Sequence, residues 1–238
     1  MNNRLTLLTS ILTTVSNPSN VQIYFGVDVD DPTFDLITKI ERAIPCVTVV
    51  PIPKFDKFPG LGKLWNICAK ESSEEIISMI GDDMIFQTQN WDEKLLNEFE
   101  KMPDDNIQGI YCNDGHHGHR LAVNFFCHRD FLLANGGKFM REEFKINWID
   151  TWLEQVFRAC GRLTYRGDIM IRHNHFIFTG SGPDRVAAKM AVADVDKISD
   201  KLWKSLVNER VNDVKKLAAY IEVTPDWSKV DIEGATNM

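Results

Sequence analysis

The chain has 238 residues, 44% hydrophobic and 26% charged, a composition that suits one large soluble domain or one domain plus an appendage. Its formal net charge of −7 argues against an extended phosphate-tracking surface, which would need clustered Lys and Arg, while leaving room for a local patch. Five scattered cysteines with no CxxC pair, no 18-residue apolar run and no signal-peptide pattern predict reduced core thiols in a cytoplasmic protein.

In chain order, Leu5, Leu8, Leu12 and Val15 recur at helical spacing, and Asn17-Pro18-Ser19-Asn20 stops that helix. Val21 to Val27 is a β-rich apolar run ending in Asp28-Val29-Asp30-Asp31-Pro32, which also suits a solvated turn. A helix from about Thr33 to Ala43 and a strand from Cys46 to Ile52 follow. After a Pro- and Lys-rich loop, Gly60-Leu61-Gly62-Lys63 opens a helix reaching about Lys70. Leu64 follows Lys63, so the Walker spacing is absent, but the helix start could still meet a phosphate through free N–H groups.

Ile76-Ile77-Ser78-Met79-Ile80 reads as a short buried strand, and Gly81-Asp82-Asp83 sits where it emerges. Two adjacent carboxylates repel unless a cation neutralises them, and a divalent metal sharing its shell with phosphates is the usual answer. On that reasoning, losing one carboxylate would, if anything, slightly stabilise the metal-free protein. A helix from about Trp91 to Lys101 completes an alternation that predicts a mostly parallel sheet covered on both faces.

The alternation then breaks. Ile107 to Cys112 and Leu121 to His128 read as strands flanking the loop of residues 113–120, whose His116-His117-Gly118-His119-Arg120 suits a loop tip or an acceptor-site wall. Ile149, Leu153, Val156 and Cys160 line one face of a helix with Asp150 in its first turn. Ile169 to His175 is strand-like, with His173 and His175 two apart and so on one side. From Asp184 to about Ile221, Val186, Met190, Ile198, Leu202, Leu206, Val214 and Leu217 mark one or two amphipathic helices, whose stripe must dock on the domain or on a partner copy.

The order of these pieces resembles a GT-A glycosyltransferase, nearest to the family 2 type, over roughly Arg4 to Asp184. The resemblance implies an α/β, Rossmann-like mixed central sheet flanked by helices in residues 1–183, with a C-terminal helical extension in 184–238. It implies that Asp28 or Asp30 reads the donor's base or ribose, that Lys63, Asn66 and Asp82 serve the donor, and that Asp83 ligates the metal. One of His173 and His175 would be a further ligand suited to Mn²⁺. Asp150, which could also cap its helix, takes the general-base position of inverting members.

The activity implied is transfer of a sugar from a nucleotide-diphosphate donor, most naturally UDP-linked, to a hydroxyl acceptor with Mn²⁺ or Mg²⁺. The acceptor could be a glycan, a lipid carrier, a protein or a modified nucleobase. Two features depart from the family: Gly81 stands where an acidic residue is usual, and the first strand is nearly missing, since only Met1-Asn2-Asn3 precede Arg4. A sheet that starts one strand late, or a shortened N-terminus, would explain this. Competing readings are a nucleotidyltransferase with the same acidic metal site and a degenerate GT-A fold kept as a binding module.

Overall fold

A computed structural model describes residues 2–175, 195–233 and 235. The expected boundary at 183/184 and the positions Asp184, Val186 and Met190 lie outside the described residues.

The chain opens with helix α1 (Asn2–Thr14), as its leucine spacing predicts. Strands β1 (Ile23–Asp28) and β2 (Val47–Ile52) pair in parallel, from Ile23 opposite Val47 to Asp28 opposite Ile52. Helix α2 (Phe34–Ala43) makes the crossover, and α3 (Leu61–Glu71) packs against both strands. The remaining strands form one five-stranded sheet. Its members are β3 (Ile76–Met79), β4 (Met84–Phe86), β5 (Gly109–Asn113), β6 (Phe125–His128) and β7 (Leu163–His173). Their spatial order is β3-β6-β5-β7-β4.

The mostly parallel sheet read from the alternation is corrected here. Among the described residues parallel pairing is confined to β1–β2 and β5–β7, and the other neighbours in the larger sheet run antiparallel. The physical reason is connection length. Parallel neighbours need a long crossover, whereas the 114–124 loop between β5 and β6 only turns the chain back.

β3 and β4 lie at opposite ends of the strand order, yet only residues 80–83 separate them. The sheet therefore curls, and the acidic turn bridges its two margins across the end of β5. Helix α1 runs along β4. Ser10 Oγ accepts the Phe86 N–H at 3.1 Å and so satisfies a donor of an edge strand.

Helix α4 (Trp91–Phe99) joins α1 and the β1–β2 pair around one apolar cluster that includes Leu8, Val27, Phe86 and Ile110. A second cluster lies on the other side of the sheet, beneath the short α5 (Phe131–Ala134) and the longer α6 (Ile149–Ala159). Most of the apolar stripe of the extension, α7 (Val195–Ser205) and α8 (Val207–Tyr220), is covered by this same chain, while Ile198 stays exposed. Trp203, Val214, Leu217 and Ala218 are buried in the second cluster with α6. Each large apolar side chain so buried contributes about 1.5–3 kcal/mol, enough together to hold the extension in place. All five cysteines are free thiols, and Cys112, Cys127 and Cys160 are buried. Among the described residues no helix is long and apolar enough to cross a membrane.

Candidate functional site

Asp82 and Asp83 occupy the centre of a tight turn closed by Met84 N–H to Gly81 O at 3.2 Å. The turn gives the two carboxylates different partners. Asp82 is half exposed and lies 3.8 Å from the Arg4 guanidinium on α1. Asp83 turns inward, with Oδ2 3.1 Å from His173 Nε2. Burial raises the proton affinity of Asp83, but the hydrogen bond to His173 and the charges of His173 and His175 outweigh it, holding this carboxyl below the usual range. Gly81 has a local reason. A Cβ there would stand 2.7 Å from Asp83 Oδ1, so glycine lets the carboxylate fold back over the turn.

β7 delivers His173. Its register against β5 slips between Cys112, opposite Arg166, and Asn113, opposite Met170. Bulges of this kind re-aim a strand, and here the second half of β7 leaves to pair with β4, His173 opposite Met84. Asn174 N–H bonds Asp83 O at 2.8 Å, which ties the two segments by backbone as well. The rings of His173 and His175 sit 5.2 Å apart, centroid to centroid.

These residues suit a divalent cation. His173 Nδ1 is buried without a hydrogen-bond partner, and an imidazole facing a carboxylate is a ligand pair chosen by Mn²⁺ and its neighbours in the first transition row. Among the described residues no group of three or more His, Cys, Asp or Glu side chains converges to hold a metal. Asp83 and His173 therefore offer a partial shell, and phosphate oxygens commonly complete one.

Asp150 does not cap α6. Trp148 stands at the N-cap with φ 77°, and Asp150 lies inside the first turn, its Oδ1 accepting the Thr151 N–H at 2.8 Å. It takes up one of the helix's spare donors from within. Burial comes first among the influences on Asp150, and with the charge of Glu154 it pushes the carboxyl above its ordinary value. The Thr151 N–H and the charge of His117 oppose them without prevailing. A carboxylate with raised proton affinity is a better general base.

The remaining predicted positions separate. Asp28 is exposed at the end of β1, and Asp30 is exposed in an ion pair with Lys54 at 3.5 Å. Their neighbour Asp31 joins the site instead. It accepts from Thr33 Oγ1 at 2.6 Å and from Arg4 at 3.2 Å, so Arg4 links the acidic turn after β1 to Asp82. Lys63 lies over the Phe55 ring at 4.9 Å.

Asn66 spends its amide on the protein. Oδ1 accepts from Phe139 N–H and Met140 N–H at 3.0 and 2.8 Å, and Nδ2 donates to Met140 O and Glu142 Oε1 at 2.9 and 3.0 Å. At the start of α3 one donor is taken up, Leu61 N–H being bonded to Lys145 O at 2.8 Å.

Sequence reasoning missed Asp114, read only as part of a polar loop. It is 1% exposed and accepts from three backbone N–H groups and from His117. The signal available was the string Asn113-Asp114-Gly115, in which Asp favours a side-chain-to-backbone turn.

No family model and no curated protein matches the sequence. Solved structures do match the fold. S. aureus TarS residues 1–349 with UDP superposes with a TM-score of 0.53 at 13% identity, covering 71% of this chain and 55% of that one. The same protein with UDP-GlcNAc gives 0.55 at 12% identity, covering 90% and 66%. Mannosyltransferase PcManGT from Pyrobaculum calidifontis, in complex with GDP-Man and Mn²⁺, gives 0.54 at 9% identity, covering 93% and 70%. The chain thus spans little more than half of the first TarS structure. At these identities the likeness concerns architecture, and the architecture is the GT-A type expected from the order of motifs.

Proposed function

We propose that this chain is a metal-dependent glycosyltransferase that moves a sugar from a nucleotide-diphosphate donor, UDP-linked in the first instance, to a hydroxyl acceptor with inversion. The observation that carries the proposal is the pairing of Asp83 with His173 at 3.1 Å where the acidic turn crosses the sheet, with the unpartnered His173 Nδ1 beside it. Support comes from neighbours of the same fold whose structures hold UDP, UDP-GlcNAc, or GDP-Man with Mn²⁺.

In this reading Asp83 and His173, with His175 adjacent, would hold Mn²⁺ or Mg²⁺, which when bound supplies positive charge to the leaving diphosphate. Arg4 is placed beside Asp82 to add a second cation on the donor side. Asp28 and Asp30 are accessible for hydrogen bonds from base or ribose, and Lys63 lies in the first turn of α3. Asp150 accepts the acceptor hydroxyl's proton as attack proceeds, its partial burial keeping its proton affinity high.

A panel of nucleotide sugars incubated with the protein and Mn²⁺, read by nucleoside diphosphate released, tests the activity. Metal-dependent release from a subset supports it. Pyrophosphate release from a nucleoside triphosphate would point to a nucleotidyltransferase. No turnover with intact nucleotide binding would leave a binding module.

A further inference from the structure

Trp148 holds a backbone conformation that its own side chain disfavours. Its φ of 77° and ψ of −5° are left-handed, a region that costs any residue other than glycine about 5- to 30-fold in population and that asparagine or aspartate tolerates best. Among the described residues four that are not glycine have positive φ. Two are asparagines, Glu222 lies just past α8, and Trp148 is the one aromatic. Asn147, of a type suited to this conformation, stands immediately before it, so the chain sets the strain on the bulkier residue.

The contacts that offset this strain come from the extension. The Trp148 ring stacks on Trp203 at 4.6 Å with 25° between the planes, and Nε1 donates to Asp200 Oδ1 at 2.8 Å. Trp203 is itself fixed. It is 4% exposed, its Nε1 donates to Asp231 Oδ2 at 2.8 Å, and the Arg210 guanidinium lies 3.7 Å from its ring centroid. On the other side of Trp148 the chain is pinned to the start of α3, where Lys145 O accepts the Leu61 N–H and Lys145 Nζ donates to Pro59 O at 3.1 Å.

Trp148 is therefore the joint between a segment fastened to α3 and the helix that carries Asp150. Trp148 O accepts the Trp152 N–H at 2.9 Å, which closes the first turn of α6 around Asp150. Rotation at Trp148 φ would swing that turn relative to α3, and the Asp150 carboxylate, two residues on, would move with it. A strained residue persists only where its surroundings over-determine it, and such residues gather at functional sites.

We infer that Trp148 is a positioning residue: Asp200 and Trp203 of α7 hold its left-handed backbone, and that backbone aims Asp150. The inference rests on the reading of Asp150 as base. It gives the extension a part in the chemistry through one joint, without contact between the extension and substrate.

Replacing Trp148 by Ala and by Gly removes the ring in both cases, but only glycine takes this φ without strain. Hydrogen exchange of the intact protein, read by mass spectrometry over residues 145–152, tests the joint without turnover. Trp148→Ala should exchange about 10-fold or more faster than the parent, because the stack and the indole bond are lost. Trp148→Gly should exchange at least about fivefold slower than Trp148→Ala. Asp200→Ala, at an exposed position, should also exchange faster than the parent. Parental exchange in Trp148→Ala or Asp200→Ala, or glycine no slower than alanine, overturns the proposal. Where a nucleotide sugar is consumed, Trp148→Ala should lower kcat about 10-fold or more with donor KM unchanged, and Trp148→Gly should recover part of that loss. A ring that merely fills space would leave glycine at or below alanine, and that result, or a parental kcat in Trp148→Ala, also overturns it. If even the parent consumes no nucleotide sugar, the transferase reading fails, and the exchange comparison still decides whether α7 holds the joint.

Discussion

Replacing Asp83 by Ala removes the carboxylate that meets His173 Nε2 at 3.1 Å. Repulsion between adjacent carboxylates would make this change neutral or stabilising in the absence of metal. The structure reverses the sign, because Arg4 answers Asp82 and His173 answers Asp83. Truncation leaves the His173 ring, 17% exposed and with Nδ1 already unpartnered, without a bond at either nitrogen. A hydrogen bond to a charged group contributes about 1.5–3 kcal/mol, and a stranded buried donor costs about 1–3. The Asp83 side chain is 24% exposed, so some of this is screened, and the expected loss is about 1–2 kcal/mol. Denaturant unfolding at neutral pH with chelator present measures it. Calorimetric titration of UDP with and without Mn²⁺ then separates stability from function, since the metal should enhance binding only in the parent. A variant at least as stable as the parent refutes the pairing argument. Equal UDP affinity in all four combinations refutes the site.

Asp150→Asn keeps an oxygen for the Thr151 N–H, so folding and donor binding should persist while transfer falls about 10²–10⁴-fold; a rate within about threefold of the parent would make the residue structural. Gly62→Ala improves helix propensity by about 1 kcal/mol, yet its Cβ would lie 2.0 Å from the Arg141 carbonyl oxygen. A net loss of about 1–3 kcal/mol is expected, and a stabilised variant on thermal unfolding would contradict the packing of α3 on that segment. The Arg166 fork, at 2.8 and 2.9 Å, lowers Asp168 to about 2. A depressed carboxylate contributes stability above its unfolded value near 4 and loses it as pH falls through its folded value. Asp168 is half exposed, so Asp168→Asn should cost less than about 1 kcal/mol at pH 7, with the gap closing on acidification. A gap that widens below pH 4 would contradict this.

What the sequence disclosed was local. Leu5, Leu8 and Leu12 do lie on a helix, with Val15 just past its end, Val47–Ile52 and Ile76–Met79 are strands, and Asp150 falls in the first turn of α6. Partnership was hidden because it spans the chain. His173 is 90 residues from Asp83 and Arg4 is 27 from Asp31, distances at which periodicity carries no information. Strand direction in the larger sheet was misjudged for the same reason, since a hydrophobic run does not record its neighbour. Asp114 was passed over because a polar loop gives no hint that its one carboxylate is enclosed. Asn66, placed on the donor side by its position in the motif order, braces the 139–142 segment, a partnership that spans more than 70 residues of chain.

The extension grips the whole length of α6. At its start the Trp148 and Trp203 rings stack 4.6 Å apart, and Trp148 Nε1 bonds Asp200 at 2.8 Å. Midway, Gln155 accepts the Asp231 N–H at 2.9 Å, and at its end Ala159 O accepts the Asp226 N–H at 2.8 Å. Asp150 is consequently mounted on a block of three helices whose inertia it shares. If the site opens to admit an acceptor, the economical motion leaves this block still and shifts the lighter loops that face it, so that reach toward the acceptor is set by the loops and aim by the block.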